Sequence, residues 1–205
     1  MVIRATKLRV DQAAGDRAGE VSFEVAAGEV RALVGGSDAT FDAVMKGLWA
    51  QRAAAKGGRG ESGRRDAVGY VSGEGGERYE GLQVERMLGY AAELGLRTEP
   101  VEVRGERVEA MIATLGLSEV RTRRLRELDG LARWKVEVGE CALLGARDWV
   151  VKIEGDEVAR RAKLKVMREV ILASGAALVI SSSAVGLEDV EQVTTPAGAV
   201  LEVAR

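Results

Sequence analysis

The chain has no histidine and one cysteine, Cys141. Without histidine, imidazole acid–base chemistry and histidine metal ligation are excluded. A lone cysteine rules out an internal disulfide and suits a reducing compartment. An excess of either charge is also missing: 30 Lys and Arg stand against 32 Asp and Glu, a formal net charge of −2. That balance argues against nucleic acid or an anionic membrane as the main partner. No apolar run approaches the ~20 residues that span a bilayer. The opening M-V-I-R-A-T-K-L-R-V reads as a strand and not as a secretory signal. There is no internal repeat, and the 26 glycines follow no triplet period, so they read as turns and close packing. What is present is an ordinary hydrophobic fraction of 46% over 205 residues. That is enough for one sizeable domain, or one core with an inserted subdomain.

The most informative stretch is Val30 to Lys46, V-R-A-L-V-G-G-S-D-A-T-F-D-A-V-M-K. It reads as a buried strand, a small-residue loop and a helix, which is the layout of a phosphate-binding loop. Such a loop needs glycines whose N–H groups wrap the phosphates, a lysine for the β/γ oxygens and a hydroxyl for Mg²⁺. The helix behind it turns its positive end to the anion. Here Lys46 is the nearest lysine and comes a full turn too late.

Hydrophobic periodicity places the other elements. Strands are expected at Val2–Val10, Glu20–Val25, Val30–Val34, Val68–Val71, Trp149–Ile153, Ala176–Ser181 and Ala199–Val203. Helices are expected at Asp42–Ala55, Leu82–Leu94, Val103–Leu115, Leu117–Leu128, Leu131–Leu144 and Asp156–Ser174, with a helical turn at Leu187–Val193. Gly116 and Gly145 stop two of them. The Gly/Arg-rich Lys56–Asp66 reads as a solvated loop, its charge diluted by Glu61 and Asp66. The block from Leu82 to Leu144 carries no strand signal. It is therefore read as a helical subdomain (residues 82–144) inserted into an α/β core (residues 1–81 and 145–205). The apolar A-A-L-V-I-S of Ala176–Ser181 suits a buried parallel strand.

In this order the chain resembles the ATP-binding cassette (ABC) ATPases, the nucleotide-binding subunits of ABC transporters. Val21–Gly35 (V-S-F-E-V-A-A-G-E-V-R-A-L-V-G) is similar to the approach to that family's phosphate loop. Val68–Val71 (V-G-Y-V) is similar to the strand before its glutamine loop, and Leu82–Leu96 to the start of its helical subdomain. Leu125–Gly130 (L-R-E-L-D-G) is similar to the approach to its signature motif. Ala142–Gly145 and Leu178–Ser183 are similar to the flanks of its later motifs. The resemblance covers nearly the whole chain. It implies a P-loop NTPase-like core with a mostly parallel sheet flanked by helices, an antiparallel N-terminal portion and the inserted helical subdomain.

The family's working positions are replaced. Its loop pattern G-x-x-G-x-G-K-[ST] becomes Gly35, Gly36, Ser37, Asp38, Ala39, Thr40, Phe41, Asp42. Asp38 and Thr40 stand for glycines, Phe41 for the lysine and Asp42 for the Mg²⁺ hydroxyl. Repulsion between unit charges ~4 Å apart is about 4 kcal/mol at intermediate dielectric. That is half of the ~8 kcal/mol of a micromolar affinity. The glutamine position is Gly73, and the histidine position is Ser183. The signature L-S-G-G-Q becomes Leu128, Asp129, Gly130, Leu131, Ala132, so Asp129 would face a partner's phosphate. The acidic pair aligns with Ile153-Glu154 or with Glu154-Gly155, and either leaves Glu154 as the one carboxylate. No aromatic residue precedes Phe23 to stack on adenine. Against the family, the segment after the phosphate-loop helix is short and the sequence stops early.

Phosphoryl transfer rests on positioning and electrostatics, so the expectation is a chain that is not an enzyme, with no ATP, Mg²⁺ or other metal site. Glu154 is read as a vestigial or structural carboxylate, and Phe41 as a plug in the empty phosphate pocket. Cys141 is read as a small buried side chain, and Trp134 and Trp149 as packing. The basic face of Asp156–Ser174 is read as solvated. Ser181–Ser183 lack a histidine and a G-x-S-x-G turn, so no nucleophile is expected there. The leading reading is a catalytically inactive ABC-type ATPase homologue, a structural or regulatory subunit of a membrane-associated complex. The resemblance implies a cytoplasmic place at the inner face of a membrane. It also implies a partner that is another ABC ATPase-like subunit or an integral membrane subunit, the latter gripped near Ser72–Tyr90. Two alternatives stand beside it: an ATP-binding transporter subunit supplying a degenerate half-site, and a soluble binding module with a remodelled pocket.

Overall fold

The computed structural model describes residues 3–10, 19–26, 29–34, 68–72, 79–170, 176–181, 190–194 and 200–204. The expected helix Asp42–Ala55 and the loop Lys56–Asp66 lie outside these residues. At the N-terminal end, β1 (Ile3–Val10) and β2 (Gly19–Val25) pair antiparallel. Then come β3 (Val30–Val34), β4 (Val68–Val71), β5 (Asp148–Lys152), β6 (Ala176–Ser181), β7 (Val190–Thr194) and β8 (Val200–Ala204). These six form one sheet in the order β4-β5-β6-β3-β7-β8. β4, β5, β6, β3 and β7 run parallel, and β8 is antiparallel to both β7 and β3. β5 is buried along its whole length, as a parallel strand covered on both faces must be.

The expected helical turn at Leu187–Val193 is not what forms. Val190–Thr194 is strand β7. Val190 and Val193, three apart, mimic a helical step, but hydrogen bonding to β3 and β8 decides the conformation, as tertiary pairing often does for short segments.

Helix α1 (Val84–Gly95) buries Val84, Met87, Leu88, Ala91 and Ala92, the i, i+3, i+4, i+7, i+8 stripe of an amphipathic helix. α2 (Val101–Thr114) buries Val108 and Ile112, and α3 (Gly130–Leu143) buries Trp134, Val136, Val138 and Leu143. α4 (Glu157–Val170) follows β5. Gly116 and Gly145 lie just past α2 and α3 with φ of 62° and 84°, a conformation only glycine takes cheaply at a helix end. α3 is the junction of the fold. It packs on α1 and α2 and also on β4 and α4. One apolar cluster runs from Val30, Ala32 and Val71 through Trp134 to Leu88 and Ile112. Trp134 and Trp149 are both fully buried, as packing residues.

The expected third helix over Leu117–Leu128 is replaced by two short 3-10 turns, Ser118–Val120 and Leu125–Glu127, around an isolated bridge between Gln83 and Arg124. The reason lies at the start of α1. Its first N–H groups have no partner within the helix, and Gln83 makes no side-chain cap. The Arg123 and Arg121 carbonyls accept from Val84 and Glu85 N–H at 3.1 and 3.0 Å. Leu125 and Arg126 N–H donate back to the Leu82 and Glu80 carbonyls at 2.9 and 3.1 Å. A helix over this segment would keep those carbonyls for itself. Arg121 fastens the arrangement from the side, donating to Glu85 at 3.0 Å and to Glu109 of α2 at 2.7 Å. These two carboxylates, Glu109 first, raise the guanidinium pKa further.

The basic face of the last helix is only partly solvated. Arg160 is buried and Lys163 half-buried, because α4 turns that side toward α3.

Where α1 ends, it passes close to the end of α3. A Cβ on Gly95 would overlap Leu143 O and lie 2.7 Å from Leu144 Cα. Gly95→Ala is expected to lower unfolding stability by about 2 kcal/mol through overpacking. Gly89→Ala, in the same helix with nothing within 4 Å of the added atom, is expected to raise it by up to ~1 kcal/mol through helix propensity. Urea unfolding of both variants checks the pair, and equal midpoints would contradict the packing described.

Candidate functional site

In a parallel sheet, ligand chemistry gathers at the carboxyl ends of the strands. The register brings four such ends together. Val34 of β3 lies opposite Ser181 of β6, Ile180 of β6 opposite Lys152 of β5, and Val151 of β5 opposite Val71 of β4. One edge of the sheet therefore carries the exits toward the loop that follows β3, toward Gly73, toward Glu154 and toward Ser183. The loop positions Gly35, Gly36, Ser37, Asp38, Ala39, Thr40, Phe41 and Asp42, and likewise Gly73 and Ser183, lie outside the described residues.

Glu154 is described. It sits two residues beyond β5, partly buried, after the fully buried Ile153. Lys163 of α4 donates to the Glu154 carbonyl at 2.8 Å, and its ammonium lies 5.8 Å from the Trp134 ring centroid. Burial lowers the Lys163 pKa, while the charges of Glu154 and Glu137 oppose that shift. The Trp134 indole donates to Lys152 O at 3.3 Å, and Ser72, just past β4, donates to Glu137 of α3 at 3.4 Å. The ends of β4 and β5 are thus tied to α3 and α4 by polar groups that no sequence motif announces. Lys163 and Glu137 meet only in the folded chain.

Asp129 also has a definite place. It is the N-cap of α3, exposed, and its Oδ1 accepts from Ala132 N–H at 2.7 Å. Helix starts attract anions through unpaired N–H groups and the helix dipole. Here the chain's own carboxylate supplies the anion, and Leu128 is buried behind it. A phosphate at this terminus would meet a negative charge, so the residues present fit an incoming phosphate poorly. Among the described residues no group of three or more His, Cys, Asp or Glu is arranged to hold a metal, and no helix is long and apolar enough to cross a membrane.

Burial acts on two neighbouring side chains of α3. Burial pushes the Cys141 thiol up to about 12, although its Sγ lies 3.5 Å from Tyr70 O. Burial, and then the charge of Glu137, raise the Glu140 pKa. A carboxyl raised on folding adds stability below its ordinary value, and that stability is lost as pH rises through the folded value. Glu140→Gln is therefore expected to raise the melting midpoint at neutral pH and to leave it nearly unchanged in acid. Thermal melts across pH check this. Asp129→Ala is expected to cost about 1 kcal/mol through loss of the cap, with Asp129→Ser retaining most of it, as read by chemical denaturation.

No protein-family model and no curated protein matches the chain. Solved structures do. The chain is similar to CbiO1 of Clostridium perfringens, part of the ABC transporter complex CbiONQ, with a TM-score of 0.62 at 11% identity, covering 87% of this chain and 77% of that one. It is similar to a protein of Pyrococcus furiosus described as an ABC transporter ATP-binding protein, with a TM-score of 0.58 at 14% identity, covering 88% and 91%. It also matches a metal-chelate type ABC transporter in an inward-facing conformation, with a TM-score of 0.55 at 13% identity, covering 79% and 65%. At such identities the likeness is one of fold, and the chain has the α/β fold of the ATP-binding subunits of ABC transporters.

Proposed function

We propose that the chain is a catalytically inactive ABC-type ATPase homologue, acting as a structural or regulatory subunit of a membrane-associated complex, on the cytoplasmic side. The observation that carries this reading is Asp129, whose carboxylate occupies the start of α3 where the resembling family presents a neutral serine to phosphate. The loop sequence agrees with it: Asp38, Phe41 and Asp42 replace a glycine, the lysine and the hydroxyl. Two sites on one chain thus carry negative charge toward a polyanion. CbiO1 belongs to a transporter complex, and the shared fold supports a membrane subunit or a second ATPase-like chain as partner here. By the resemblance, that partner would be gripped near Ser72–Tyr90.

A second reading keeps one observation on its side. Glu154 remains at the end of β5, on the edge toward which the loop strand β3 points. This supports an ATP-binding subunit that contributes a degenerate half-site to a heterodimer.

Titration with a fluorescent ATP analogue, with and without Mg²⁺ and competed by ATP, separates the two. The inactive reading expects no saturable binding at millimolar nucleotide. Competable micromolar binding would overturn it in favour of the half-site. Gain of nucleotide affinity in Phe41→Lys would identify the loop as a phosphate cradle lacking only its cation.

A further inference from the structure

The turn that follows α2 and the first turns of α3 face each other across an open cavity of about 410 Å³, a size that small-molecule sites commonly have. One wall runs from Gly116 to Val120, and the other includes Asp129, Leu131 and Lys135. The charged side chains among its lining are Glu119, Asp129 and Lys135. They do not pair with one another. Among the described residues, neither Glu119 nor Lys135 has an ion pair or a side-chain hydrogen bond. Asp129 gives one oxygen to the Ala132 N–H and keeps the other.

The two signs of charge are held apart by the fold. Lys135 is half-buried, and its Nζ lies 3.7 Å from the place a Cβ on Gly116 would take. The ammonium therefore sits over the end of α2, where the last carbonyls of a helix draw positive charge. Asp129 is the N-cap of α3, about 9 Å back along the axis from Lys135 at the rise of an α-helix. Leu117, buried, and Leu131, half-buried, give the cavity apolar surface. Opposite charges that line one cavity without meeting are both partly withdrawn from water and uncompensated. A ligand that carries the same two charges in reverse order offsets both at once.

Going beyond the reading of the chain as an inactive subunit, we infer that this cavity binds a small zwitterion whose ammonium and carboxylate are set apart by a short spacer, as in a dipeptide. The ammonium is taken by Asp129, with Glu119 as the second acid of the same cavity, and the carboxylate by Lys135. An apolar side chain of the ligand rests on Leu117 and Leu131. A polyphosphate suits the cavity poorly, because two of its three charged groups repel it. A simple amine leaves Lys135 without a counter-charge and is repelled by it.

Calorimetric titration of the full chain with leucyl-alanine tests this. Saturable binding at millimolar dipeptide is expected, with the N-acetylated and the C-amidated forms each weaker by about fivefold or more. Lys135→Met is expected to weaken the dipeptide by a similar factor and to leave the amidated form unchanged, since that form has no carboxylate to lose. Glu119→Gln, at an exposed position, is expected to weaken the dipeptide and to leave the acetylated form unchanged. Free leucine, whose charges are adjacent, is expected to bind more weakly than the dipeptide. Circular dichroism of both variants establishes that the fold persists. Absent saturable binding at millimolar dipeptide, blocked forms or free leucine binding as well as the dipeptide, or equal loss of the amidated form in Lys135→Met would each overturn the inference. The nucleotide titration is independent: competable ATP binding with intact dipeptide binding would remove the inactive reading and leave the zwitterion site standing.

Discussion

The Trp134 indole joins the helical part of the structure to the sheet. It is fully buried, and its N–H ends on the carbonyl of Lys152 at the last residue of β5. With the Ser72–Glu137 bond and packing on β4, that bond holds α3 against the sheet. A buried indole donor without a partner would cost the desolvation of the group, so the helix has little freedom to slide. Asp129 lies about one and a half turns before Trp134 and Glu137 nearly one turn after, so both are placed by it. The Lys163 ammonium then completes the arrangement over the indole face, an attraction strengthened by partial desolvation. The helical part and the sheet consequently share one apolar cluster.

The long apolar strands and the amphipathic helices were legible in the sequence. α1, α2, α3, β3, β4 and β6 fall within about two residues of their expected bounds, because each has a clean period or a buried run. Two segments were not. Leu117–Leu128 has enough leucine and arginine to look helical, yet its carbonyls are required by the start of α1 some 36 residues earlier in the chain. Val190–Thr194 is a strand only because β3 and β8 offer it hydrogen bonds. The partners of the first segment, and the β3 partner of the second, lie far away in the chain, so a short window of sequence does not contain them. At the site, Asp129 was legible as a residue out of pattern, and its capping geometry follows from its type and place. Lys163, Ser72 and Glu137 were not legible, since their meeting depends on how α3 and α4 turn against each other. Arg160 was read as a solvated cation on its helix and is buried for the same reason.

The start of α3 and the loop sequence after β3 share an electrostatic feature. A helix start and a glycine-rich loop are the two ordinary places where a backbone concentrates positive potential. The chain puts an aspartate at the first, and two more in the second. At the helix start, the aspartate stabilises the fold by the same interaction through which it discourages an external anion.

The cap on α1 has a consequence for how the chain folds. Its first turn has no side-chain cap and depends on carbonyls from a segment that lies beyond all of α2. An isolated short helix is marginal in water, so α1 cannot be secured during synthesis when it leaves the ribosome. Its first turn is completed only when residues 121–126 are in place, and closing that long loop is an entropic barrier. The start of α1, the Arg121 clamp and residues 121–126 are therefore bound into one cooperative unit.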